Sequence, residues 1–138
     1  MLGIEFGTEE MKMNQGLKVK DEKLTISAAR LRDLANVLQN AATHCGSHVT
    51  ARQVQALLLI AEANKAERNI TRGELEQMFA NPGQGTVSKM LRGMMHVKME
   101  RKGKMANTVE GLRSKDDLRV VYLHLTDKGK KIVNSIVS

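Results

Sequence analysis

Lys and Arg, 22 in all, outnumber the 15 Asp and Glu of this 138-residue chain. Residues 84–138 hold twelve of the 22 Lys and Arg and only five of the 15 Asp and Glu, while residues 1–83 balance at ten and ten. The whole net charge of +7 therefore sits in the last two-fifths of the sequence. Segregated basicity suits a polyanion, most often nucleic acid; the plainer reading is a solvated basic surface. Within this stretch, Val87, Met90, Leu91 and Met94 recur at helical spacing and predict a buried face. Gln84, Gly85, Ser88, Lys89, Arg92 and His96 fall opposite them, and Thr86 joins the candidate contacts. The DNA major groove, about 12 Å wide, admits one helix. On such a helix Gln84 can bond adenine, and Lys89 and Arg92 can reach guanine or phosphate. Thr86 and Ser88 are short enough for bases or the nearby backbone, and Gly85 would let the helix approach closely.

A second basic group comprises Arg101, Lys102, Lys104, Arg113, Lys115 and Arg119. Arg113 and Lys115, near a loop tip, suit a narrow minor groove, whose negative potential attracts arginine. Lys102 and Lys104 suit phosphates, which give affinity and salt dependence but no sequence information. Other chemistry finds less support. Asp116 and Asp117 are adjacent, so strand geometry would point them to opposite faces, and no catalytic role is expected. His44, Cys45 and His48 could ligate a metal, but their spacing matches no closed zinc site. Neither a metal nor a cofactor is expected. Nine methionines read mainly as core filler, with Met90 and Met94 on the buried face. Aromatics are only 2%, against the stacking platforms of most single-strand binders.

The elements positioning these residues are mainly helical. Ser27 caps a helix whose apolar stripe is Leu31, Leu34, Ala35, Leu38 and Ala42, stopping at Gly46. Thr50 and Gln53 form a capping box before a helix apolar nearly all round, which belongs in the core. Thr71 and Glu74 cap a short helix with Leu75, Met78 and Phe79 on one side. Asn81-Pro82 starts the next, expected to run to about Val97. Two short helices joined by a tight turn make a helix-turn-helix. Residues 119–125 then alternate as a strand, with a partner expected near Met99–Lys102 and turn residues between. Thr126 caps a last helix with Ile132, Val133, Ile136 and Val137 on its apolar side.

The length fits one domain: an N-terminal arm over 1–24, weakly patterned and poorly ordered, and a folded region over 25–138. No apolar run approaches the roughly 18 residues of a membrane span, and the N-terminus lacks the pattern of a secretory signal. A single cysteine fits a reducing cytoplasm.

Helix, helix, helix-turn-helix, hairpin, helix is the order of a winged helix-turn-helix. Asp117-Leu118-Arg119 followed by Leu123-His124-Leu125-Thr126-Asp127-Lys128-Gly129 resembles the Asp-x-Arg…Leu-x-Leu-Thr-x-x-Gly wing signature of MarR-type bacterial transcriptional regulators. Thr50-x-x-Gln53, Ile70-Thr71-x-x-Glu74-Leu75 and Thr86-Val87-Ser88-Lys89 also resemble that family. The resemblance implies an α+β, mainly α-helical domain, with the helix-turn-helix at about 71–97, a two-stranded β-hairpin wing at about 98–125, and flanking N- and C-terminal helices. It implies an ion pair between Asp117 and Arg119 at the wing base. It also implies sequence-specific binding of double-stranded DNA by a cytoplasmic homodimeric regulator, usually a repressor, with small aromatic effectors common in the family. The sequence departs from the pattern in three places. Lys98 stands where glycine usually ends the recognition helix, fifteen residues separate Arg101 from Asp117 and imply a long wing, and Ser138 ends the sequence where a further dimerising helix is usual. Two other functions remain open at this point: a protein-interaction module in replication or assembly of a phage or plasmid, and a non-specific architectural DNA binder.

Overall fold

The computed structural model describes residues 23–79, 83, 85–95 and 103–138. Most of the expected N-terminal arm (1–22) lies outside the described residues, as do Asn81, Pro82, Gln84 and 96–102. By compactness the chain divides into residues 1–31 and 32–138. In the first unit, the described residues are a lead-in and the opening of helix α1 (Ala28–Cys45), where Ser27 Oγ accepts from Arg30 N at 3.1 Å.

The second unit holds the rest of α1, then α2 (Ala51–Lys65), α3 (Arg72–Met78), α4 (Thr86–Met94), β1 (Val109–Arg113), β2 (Val121–Leu125) and α5 (Asp127–Val137). Among the described residues the fold is therefore mainly helical with one two-stranded antiparallel sheet. Both capping boxes form. Thr50 Oγ1 accepts from Gln53 N while Gln53 Oε1 accepts from Thr50 N, and Thr71 and Glu74 repeat the pattern. Such a cap contributes typically about 1 kcal/mol. Helix α2 buries Val54, Ala56, Leu57, Ile60 and Ala63 at the centre of a core completed by Leu75, Phe79, Val87, Leu91, Met94, Leu123, Ile132 and Ile136.

The structure corrects several expectations. On α1 the buried residues are Ala41 and Cys45, with Val37 packed beside them, while Leu34 and Leu38 are 48% and 62% exposed and Leu31 is also exposed. The sequence leaves the stripe either to close the core or to form a dimer interface, and it is not the side facing this core. Met78 is exposed too, leaving Leu75 and Phe79 as the buried pair of the α3 region. Helix α4 starts at Thr86 rather than Pro82, because Gly85 adopts φ +74°. A left-handed residue cannot lie inside a right-handed helix, so it sets the boundary. At the other end the helix stops at Met94, with Met95 extended, short of the expected Val97.

The wing differs most. The strand paired with β2 is Val109–Arg113, with register Val109↔Leu125 to Arg113↔Val121, while the partner expected near 99–102 lies outside the described residues. Residues 103–107 make turns, with Met105 and Ala106 buried. The hairpin connection is thus only 114–120, and residues 103–108 lie before the hairpin rather than in it. Segment 70–71 adds a short third edge, through Leu123 N donating to Ile70 O at 2.8 Å and a bridge from Thr71 to Tyr122. Asn64 at the end of α2 clamps β2: its Nδ2 donates to Leu123 O, and its Oδ1 accepts from Leu125 N at 3.0 Å.

Candidate nucleic-acid interface

Helix α4 presents Val87, Leu91 and Met94 to the core and leaves the opposite side free, with Lys89 and Arg92 exposed and Thr86 and Ser88 half-buried. Gly85 sits at the N-cap and not on the helix face. Its φ is one that side chains with a Cβ rarely adopt, so its role is to start the helix. Gln84 lies outside the described residues.

The C-terminal end of α4 is fastened to the wing through the backbone. Thr108 N donates to Met94 O at 2.8 Å, and Met95 bridges to Val109. Thr108 is fully buried, and its hydroxyl donates to Met105 O at 2.8 Å and lies 3.3 Å from Met94 O. Its own carbonyl accepts from Thr126 N at 3.0 Å. One residue thus ties together the end of the helix, the start of β1 and the start of α5.

At the far end of the hairpin, Ser114 N donates to Val120 O and Val120 N donates to Asp117 O, both at 2.9 Å, closing a turn with Leu118 and Arg119 at its corner. Asp117 takes Arg119 as a fork: Oδ1 accepts from Arg119 N at 3.0 Å and Nε at 3.1 Å, and Oδ2 accepts from Nη2 at 3.2 Å. This pair lies at the wing tip and not at its base, because the hairpin closes at 114–120. Arg119 keeps its side chain 91% exposed within the pair. The Arg119 guanidinium, then its backbone N–H, holds the Asp117 carboxyl below the usual carboxylate range, with a smaller desolvation opposing. A carboxyl depressed on folding stabilises the turn fully above its unfolded pKa, and that contribution fades as pH falls through the folded pKa. The fork should therefore be intact at neutral pH. Titration of the Asp117 carboxyl carbon by NMR should give a midpoint below that of the same residue in a peptide of residues 113–121; an equal midpoint would contradict the geometry.

Arg113 and Lys115 are exposed on the wing, and Arg113 Nη1 donates to Leu118 O at 2.6 Å. Lys104 is not a wing residue. It lies in the 103–107 turns, and its ammonium donates to Thr43 O at the end of α1 at 3.0 Å. Arg101 and Lys102 fall outside the described residues.

Between α3, α4 and β2 lies a cleft of about 680 Å³. Ser88, Arg92 and Arg119 line it, as do Thr71 and Arg72, over a floor that includes Leu91, Val121 and Leu123. The structure thus gathers cations from the helix and the wing and adds Arg72, which the sequence reading missed. The available signal was a basic residue in the first turn of the first helix of the motif. Cys45 is buried, and burial pushes its thiol up, with Lys104 pulling weakly the other way. It is not poised as a nucleophile. Among the described residues no three His, Cys, Asp or Glu side chains gather as a metal site, and no helix is long and apolar enough to cross a membrane.

A helix-turn-helix followed by a hairpin locked to its second helix defines a winged helix-turn-helix. Solved structures share it. The chain is similar to the crystal structure of a mutant MepR from a multidrug resistant S. aureus clinical isolate, at 17% identity over 96% of this chain and 75% of that one, with a TM-score of 0.54. It is similar to the crystal structure of MarR at 23% identity over 81% of this chain and 74% of that one, with a TM-score of 0.50. The architecture is the MarR-type winged helix-turn-helix, and at these identities the likeness is one of fold. No family model matches the chain, and no curated protein matches it in sequence.

Proposed function

We propose that this chain binds double-stranded DNA sequence-specifically as a bacterial cytoplasmic transcription regulator, acting as a repressor that excludes polymerase from an occupied operator. The observation that carries the reading is the link between the exposed face of α4, with Lys89 and Arg92, and a hairpin that brings Arg113, Lys115 and Arg119 to its tip beside Asp116 and Asp117. The exposed face of α4 and the hairpin are joined by Thr108, whose N donates to Met94 O and whose Oγ1 lies 3.3 Å from the same oxygen, so both can meet one duplex without rearrangement. Helix α4 enters the major groove with Ser88, Lys89 and Arg92 toward the bases, and Thr86 beside the backbone. Arg113, Lys115 and Arg119 follow the minor groove and phosphates, and Arg72 reaches a phosphate from the edge of the cleft.

The active form is a homodimer, with α1 contributing its uncovered leucines. Leu34 and Leu38 border a nearly all-carbon groove with Leu58 and Leu59, and Val137 of α5 is 56% exposed. Two-fold symmetry would set the recognition helices about 34 Å apart and require a palindromic site.

Binding should fall steeply with added salt. Lys115→Ala should weaken it alike on all sequences and flatten the log–log salt slope by about one unit. A titration of fluorescent duplex at several salt concentrations reads both. A flat salt response in the unaltered protein would defeat the DNA reading, and a sequence-selective loss in the variant would give Lys115 a different role.

A further inference from the structure

The wing tip carries one residue that a purely electrostatic grip on DNA does not use. Leu118 occupies the corner of the 117–120 turn and is 65% exposed. It belongs neither to the buried core nor to the apolar residues packed against it. A single exposed leucine is ordinary on a protein surface. This one differs in how firmly its backbone is held and in what surrounds it. Its carbonyl accepts from Arg113 Nη1 at 2.6 Å. Its neighbours Asp117 and Arg119 are fixed by their three-bond fork. Ser114 Oγ accepts from Asp116 N and Asp117 N at 3.1 and 3.3 Å, which secures the approach to the corner. The turn is thus preorganised, with an apolar side chain at its corner; residues 113–119 around it carry three cations (Arg113, Lys115 and Arg119) and two carboxylates (Asp116 and Asp117), a net charge of +1.

A surface complementary to an exposed leucine on a turn of net positive charge is apolar at its centre and anionic at its margins. Duplex DNA offers that arrangement in the minor groove, where stacked bases lie between two phosphate strands. Apolar side chains, leucine among them, can wedge between base steps there and bend the duplex by about 20–90° toward the major groove. Pyrimidine–purine steps unstack most readily.

We infer that Leu118 is such a wedge. It inserts from the minor-groove side at a pyrimidine–purine step, opens the stack and bends the DNA, while Arg113, Lys115 and Arg119 hold the flanking phosphates. The inference rests on the DNA-binding reading and adds to it a deformation step, and so a sequence preference at base pairs that no side chain reads by hydrogen bonding.

The test uses the full chain and an A·T-rich duplex of about 30 base pairs containing TA steps. The duplex is labelled at both ends for energy transfer and carries 2-aminopurine at one of those steps. Binding of the unaltered protein should raise both the transfer and the 2-aminopurine emission. Leu118→Ala should bind about tenfold more weakly and produce neither change. Leu118→Met should keep both, and Lys115→Ala should lose affinity yet still bend the DNA it binds. Circular dichroism should be the same for all four proteins. Bound but unbent DNA with the unaltered protein would overturn the wedge while leaving DNA binding intact, as would equal bending by Leu118→Ala. Failure of the unaltered protein to bind the duplex at low salt would instead overturn the DNA reading, and the wedge with it.

Discussion

Gly129→Ala should destabilise the folded chain by about 3 kcal/mol or more. Gly129 is buried in the first turn of α5, where its N–H donates to Thr126 Oγ1 at 3.1 Å. A methyl group added there would run into the carbonyl oxygen of Thr108 and come within 3.4 Å of Leu125 Cβ. The obstacle is backbone, so no rotamer change relieves it. That carbonyl accepts from Thr126 N, and the same residue holds Met94 O. Moving it would loosen the join between recognition helix and wing. The variant should therefore lose DNA affinity as well as stability. Urea unfolding should show a lower midpoint with an unchanged slope. An unchanged midpoint would mean that α5 does not press on the 103–108 segment as the structure has it.

Arg92→Ala should do the reverse, sparing the fold and damaging recognition. Arg92 is exposed on α4, and among the described residues no hydrogen bond or ion pair holds it. Its loss should leave the unfolding midpoint within about 0.5 kcal/mol of the parent. If the guanidinium reads a base, binding should weaken by about 1–3 kcal/mol and preference should relax at one position of each half-site. Competition binding against a panel of single base-pair changes measures both. Uniform weakening on every sequence would move Arg92 to a phosphate, and no change at all would remove it from the interface.

The parts of the fold that were legible in the sequence are those with local, redundant signals. Thr50 with Gln53 and Thr71 with Glu74 announce helix starts through side chains that must meet their own backbone, and both boxes formed. Val87, Leu91 and Met94 share one face because three- and four-residue spacing permits nothing else. Strand β2 reads clearly since Leu123 and Leu125 both turn inward. Strand β1 does not, because Val109 alone of its five residues is buried and the alternation has no second beat. Nothing local marks Thr108 or Asn64, whose importance comes from partners far along the chain: Met94 and Thr126 for Thr108, Leu123 and Leu125 for Asn64. The stripe of α1 was visible, but periodicity says only that a face is apolar. Which face meets this core was decided by Ala41 and Cys45, small enough for close packing. For the interface, the sequence places Ser88, Lys89 and Arg92 on one side of a helix, but it cannot place Arg72 beside them or move Lys104 away to the end of α1.

The central claim, that one face formed by α4 and the wing recognises a DNA sequence, is tested most directly by selection from random double-stranded DNA, in excess competitor at near-physiological salt. The account predicts a symmetric enriched motif with half-sites about one helical turn, roughly 34 Å, apart. It also predicts that Arg92→Ala enriches a more permissive version of the same motif. DNA retained without enrichment, or no DNA retained at all, would contradict it.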